Sequence, residues 1–222
     1  MTLVGYAMLA LIVYFVATKL RGFGVRPAPL QEPAGSPPLA QLEQAAAESP
    51  SFHNRSRLGW ALVDAGQPQR AAELFERALS THPRDKHAQL GLGYALLDAG
   101  DAERAASVLT ALLERSFGYA DYSAATALLE ALERSGQDAR AVELAELIAR
   151  DSRQLRHELV VARQYARVER RADAIERLRT ALRDFEAQPE LDRRRDGAAA
   201  TEARKLLQLL EQRDLGATVP RA

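Results

Sequence analysis

Leu58-Gly59-Trp60-Ala61-Leu62-Val63-Asp64-Ala65-Gly66 returns 34 residues later as Leu92-Gly93-Tyr94-Ala95-Leu96-Leu97-Asp98-Ala99-Gly100. Each copy reads as an amphipathic helix closed by a glycine, a residue that accepts the left-handed conformation of a helix C-cap. A second helix follows each glycine. The first opens at Gln67-Pro68, where proline's missing N–H costs nothing. The next opens at Asp101, a good N-cap. A fixed period of helix pairs predicts units that bury their apolar flanks only by stacking on one another.

The spacing resembles the tetratricopeptide repeat family, whose unit is about 34 residues. The first copy supplies Leu58, Gly59, Leu62, Ala71, Phe75, Ala78 and Pro83 at the family's positions. The second supplies Leu92, Gly93, Leu96 and Ala105, then departs, with Leu109, Leu112 and Phe117 where Phe, Ala and Pro are usual. Gly59 and Gly93 are expected to let helices approach closely. Phe75 and Leu109 should fill the space between pairs. A third unit is read from Leu128-Leu129, Ser135-Gly136, Asp138 to Ala141 and Leu144, about two residues being inserted near Phe117 to Tyr122. A fourth is read from Val161-Ala162, Tyr165, Ala174, Leu178 and Ala181, with Glu169-Arg170 in place of the turn glycine.

The expected fold is therefore all-α, an N-terminal transmembrane helix followed by an α-solenoid of about four helix pairs and a C-terminal capping helix. The expected organisation is an anchor over 1–21, a Pro-rich linker over 22–38 and a repeat domain over 39–213. Within that domain the repeats fall near 52–85, 86–119, 122–154 and 155–187. Gln188 to Asp196 is polar, carries Pro189, and reads as a loop before the capping helix at 198–213; residues 214–222 are expected to fray. Leu39 to Glu48 reads as a short preceding helix.

The anchor rests on Leu3 to Ala17, a stretch without charge. With Met1, Thr2 and Thr18 it reaches about 17–18 residues, the short end of what spans a bilayer, and residues 3–18 are expected to lie in the membrane. A cleaved signal peptide needs a basic start and a small-residue exit, and Ala17-Thr18-Lys19 is a poor exit. Lys19, Arg21 and Arg26 follow closely, and positive flanks stay on the cytoplasmic side. The repeats are thus expected in the cytoplasm, on a bacterial inner membrane. A periplasm-facing assembly factor for envelope or secretion machinery is the alternative. Pro27, Pro29, Pro33, Pro37 and Pro38 make the following segment an extended spacer.

Composition narrows the function. The chain has 222 residues, no cysteine and a net charge of +0. Thiolate metal sites are excluded, and no global field draws the protein to nucleic acid. Lys19, Lys86 and Lys205 are the only lysines among 30 basic residues, and this arginine and alanine bias points to a GC-rich bacterial source. No Gly-rich phosphate loop or serine elbow is present, so no catalytic residue, cofactor or metal is assigned. His53 and His87 hold equivalent positions without further ligands beside them, which leaves a metal protein or an enzyme as the weaker alternative of another class.

What remains is a scaffold for a protein or peptide partner. The resemblance implies that the first helix of each pair lines a concave groove. Its register places His53, Trp60, His87, Tyr94, Arg156, Arg163 and Arg167 there. Trp60 and Tyr94 are equivalent, and an aromatic strip suits an apolar or extended segment; packing against neighbouring helices is the competing reading. The arginines suit an acidic partner, or else ion pairs with Glu130, Glu133, Asp151 or Glu158. Phe117, Tyr119 and Tyr122 read equally as a local cap on the core or as a partner patch.

Overall fold

The computed structural model describes residues 37–217, and these form ten helices and no strand. The expected anchor, its flanking Lys19, Arg21 and Arg26, and most of the linker lie outside the described residues. Among the described residues no helix is long and apolar enough to cross a membrane. In chain order the helices are α1 (Leu39–Glu48), α2 (Phe52–Asp64), α3 (Pro68–Thr81), α4 (Lys86–Asp98) and α5 (Ala102–Leu113), then α6 (Ser123–Arg134), α7 (Asp138–Ser152), α8 (Leu155–Arg167), α9 (Arg171–Glu186) and α10 (Glu190–Ala217). The chain divides into two compact units, the first ending at Ala95 and the second beginning at Leu96.

In the first unit, α2 starts where Ser51 Oγ accepts from the Asn54 N–H at 3.2 Å, an N-cap that satisfies a donor left over at the helix start. The Asn54 amide in turn donates to the carbonyls of Ala45 and Ser49, at 3.2 and 2.9 Å, and so ties α1 to α2. Leu42 is the residue that α1 buries. Pro68 opens α3 in the first turn.

The centre of this unit is Phe75, which is 0% exposed. Two glycines make room for its ring. A Cβ on Gly59 would stand 2.8 Å from Phe75 Cζ, and one on Gly91 only 2.3 Å. Gly59 was expected there. The second contact belongs to Gly91, on the side of α4 that meets the ring. No side chain fits at either position, so the helices close onto the ring.

The pairs turn by one device. The Gln67 N–H donates to the Leu62 carbonyl, Asp101 to Leu96, Gln137 to Leu132 and Arg170 to Tyr165, at 2.8, 2.8, 2.9 and 2.8 Å. These six-to-one bonds satisfy carbonyls that the ending helix leaves over, and they need one left-handed residue each. Gly66, Gly100 and Gly136 supply it at φ 68°, 87° and 70°. In the fourth turn Glu169 adopts φ 60°. The turn forms without its glycine, at the steric expense that a Cβ imposes in that region.

In the second unit, an arginine at the end of each first helix reaches back to the preceding one. Arg134 donates to the Leu97 carbonyl, and Arg167 to the Glu133 carbonyl. A cation near a helix C-terminus meets the negative end of the dipole. The apolar interior here is built from residues such as Val161, Ile148, Leu178 and Ala203, all essentially unexposed. Helix α10 packs on both α8 and α9.

The polar stretch before the capping helix is not a loop. Helix α10 begins at Glu190, directly after Pro189, whose carbonyl accepts from the Arg193 N–H at 3.1 Å. Proline here marks the start of a helix rather than an interruption. The helix also runs past Asp214 to Ala217, while 218–222 lie outside the described residues.

Candidate functional site

The residues assigned to the partner fall in both units, and each set has its own surroundings. In the first unit Trp60 is the hub. Its ring stacks on His87 with centroids 4.9 Å apart and planes at 29°. It meets Phe75 edge-on at 5.7 Å and Tyr94 edge-on at 6.1 Å. The equivalent aromatics are thus brought together, but they pack on one another. Tyr94 is only 7% exposed, whereas Trp60 is half-buried and His53 is open to solvent.

Two polar atoms of this cluster are buried without a hydrogen-bond partner, Trp60 Nε1 and His87 Nδ1. Burial lowers the His87 pKa, against a smaller opposing pull from Asp85. The imidazole is therefore neutral at pH 7 and lies flat on the indole. An unsatisfied buried donor costs about 1–3 kcal/mol.

In the second unit all three arginines of α8 are engaged within the chain. Arg163 pairs with Glu202 of α10 at 2.6 Å, and Arg167 with Asp138 of α7 at 2.5 Å. Arg156 stands between Asp121 and Asp196, at 3.4 and 3.5 Å. Self-pairing was one of the two readings, but none of these carboxylates was among the expected partners. Glu130 is taken by Arg134, and Glu158 by Arg177. Asp151 accepts from the Tyr122 hydroxyl at 2.5 Å. Such half-exposed pairs contribute about 0–1 kcal/mol each.

The inserted segment before α6 proves to be a built junction. Ala120, Asp121 and Tyr122 are all left-handed, at φ 52°, 52° and 65°. The Tyr122 ring lies edge-on between Phe117 at 5.9 Å and His157 at 5.0 Å. Its bond to Asp151 pushes the phenol pKa up to about 12. His157 is 4% exposed, with Nδ1 2.6 Å from Ser152 Oγ. Sequence reasoning passed over His157, Asp121 and Asp196. The available signal was the two-residue insertion itself, which breaks the period where extra contacts are needed.

A second buried polar pair joins α6 to α8. Gln164, 3% exposed, donates through Nε2 to the Glu133 carboxylate. Burial raises the Glu133 pKa, and the Gln164 bond and Arg167 oppose that rise. Among the described residues no group of three or more His, Asp or Glu is placed to hold a metal ion.

The helix pairs find their counterpart in known proteins. The profile described as tetratricopeptide repeat matches residues 56–118. Over that segment the chain carries the tetratricopeptide repeat.

Several solved structures share the fold. MamA from Desulfovibrio magneticus RS-1 superposes with a TM-score of 0.60 at 21% identity, over 68% of this chain and 86% of that one. The thermophilic TPR protein TTC0263 of Thermus thermophilus gives 0.52 at 20% identity, over 73% and 88%. YrrB, described as a TPR protein with an unusual peptide-binding site, gives 0.57 at 20% identity, over 75% and 81%. No curated protein sequence matches the chain. The first-helix row of the first unit is thus aromatic and half-buried. That of the second is charged and internally paired.

Proposed function

We propose that the chain is a protein-interaction scaffold whose first-helix row meets a protein or peptide partner at the half-buried Trp60 and the exposed His53. One observation carries this reading. The tetratricopeptide repeat matches residues 56–118, and in the same segment the half-buried indole of Trp60 sits on the row of first helices, with the exposed His53 earlier on the same helix. An amphipathic aromatic of this kind is the sort of residue that anchors interfaces. YrrB, of like fold, is described as having a peptide-binding site, which lends the reading support by analogy only.

The proposal extends to location. The apolar run Leu3 to Ala17, with Lys19, Arg21 and Arg26 after it, supports a single-span anchor with the repeats in the cytoplasm. A C-terminal reporter that is active only outside the cytoplasm should stay silent; an active one places the repeats on the other side. For the scaffold itself, a photoreactive residue at His53 should capture a discrete protein in intact cells, while one at Glu76, exposed on α3, should not. Equal capture from both positions, or from neither, argues against a partner on this row.

A further inference from the structure

The start of α8 is held by groups from three other segments. Gln154 precedes the helix but gives it no side-chain cap. Instead the Asp196 carboxylate, 41 residues later on α10, accepts from the Leu155 N–H at 3.0 Å. Asp196 is 8% exposed, and its second oxygen faces Arg156 Nε at 3.5 Å. Arg156 also faces Asp121 at 3.4 Å, and Arg195 of α10 approaches the same Asp121 oxygen at 3.4 Å. Opposite charges therefore alternate from the inserted turn, through α8, to α10. Beneath them lies His157, bonded to Ser152 of α7 and covered by the Tyr122 ring.

We infer that this junction is an acid-released latch, in which a proton on His157 frees the first turns of α10 from the first turn of α8. The geometry supplies the mechanism. A cation at His157 would have little water around it and would face Arg156 and Arg195, with Asp121 shared by those two arginines and Asp196 committed through one oxygen to the Leu155 N–H. From α7 it faces only Ser152, since the Asp151 carboxylate is held by the Tyr122 hydroxyl. The turn that carries Asp121 and Tyr122 is strained over three successive residues, so it gains by letting go. Burial first, and Arg156 next, hold the His157 pKa down to about 4, while Asp121 and Asp196 raise it and Arg195 lowers it. An imidazole in water protonates near its ordinary value of 6.5, so acid favours the open arrangement. Opening uncovers Leu155 and Leu159, each 3% exposed.

Hydrogen exchange on the full chain tests the latch. Corrected for intrinsic rates, opening at the Leu155 amide should increase about 20-fold between about pH 7 and about pH 5. His157→Gln keeps a bond to Ser152, and His157→Phe keeps the ring against Tyr122; either should remove that dependence. Should both variants fail to fold, the unmodified chain still decides. The imidazole titration of His157 and the loss of Leu155 protection must then share one midpoint. Unchanged protection across this range, the same acid response in a folded variant, or separate midpoints would overturn the proposal.

Discussion

Replacing Gly91 with alanine drives a methyl group into a ring that has no room to move. The added Cβ would stand 2.3, 2.6 and 2.8 Å from Phe75 Cζ, Cε1 and Cε2. The ring cannot retreat. Gly59 flanks it with its own virtual Cβ at 2.8 Å, and Trp60 meets its edge at 5.7 Å. Two effects compete. Alanine improves the helix interior by about 0.5–1 kcal/mol. Overpacking costs about 1–3 kcal/mol, and displacing the ring outright approaches the roughly 3–5 kcal/mol of losing a buried phenylalanine. The net expectation is a loss of about 2 kcal/mol, or roughly 4–8 °C in Tm for a chain of this size. Gly59→Ala, with less severe contacts, should lose less. Circular dichroism melts of the two variants give the ranking. Phe75→Leu combined with Gly91→Ala should recover part of the loss, as a coupling of about 1 kcal/mol or more in a double-mutant cycle. If Gly91→Ala is more stable than the natural chain by its helix propensity alone, the wedge between α2 and α4 is refuted.

Glu169→Gly removes a Cβ from the left-handed turn residue and should stabilise the chain by about 0.5–1 kcal/mol, whereas Gly136→Ala at the equivalent turn should destabilise it by a similar amount; urea midpoints distinguish the two. Arg163→Met breaks a pair whose members are each about a third exposed, and should cost under about 1 kcal/mol in the same assay. The Tyr122 phenol is held neutral by its bond to Asp151, with its pKa raised from 10.0 to about 12. Its contribution is therefore fully present below pH 10 and lost as pH rises toward 12, so Tyr122→Phe should flatten that part of the stability profile.

The repeating glycines, Pro68 and Phe75 make the first two pairs legible in the amino-acid sequence, because each is a residue type that one local geometry demands. The fourth turn is obscured because Glu169 occupies the glycine position and bears the strain itself. The start of α10 is hidden by Pro189, since proline interrupts a helix or opens one depending on the residues after it. Ion pairing is not legible at all. Arg163 and Glu202 are 39 residues apart, and Arg167 and Asp138 are 29 apart. Such partners are chosen by how helices stack, and any of several nearby carboxylates would satisfy an arginine. The aromatic row is legible as a row, since Trp60 and Tyr94 share a position, but its burial is not. His87 closing over Trp60 depends on the approach of α4 to α2.

The chain contains a single tryptophan, so its emission reports on Trp60 alone. The most direct measurement is a fluorescence titration with the protein captured at His53, repeated with Trp60→Phe by calorimetry. Contact at the first-helix row predicts a saturable change in emission and a loss of roughly tenfold or more in affinity when the indole is removed, the size of an interface anchor. Binding that leaves the emission unmoved and the Trp60→Phe affinity intact would contradict it.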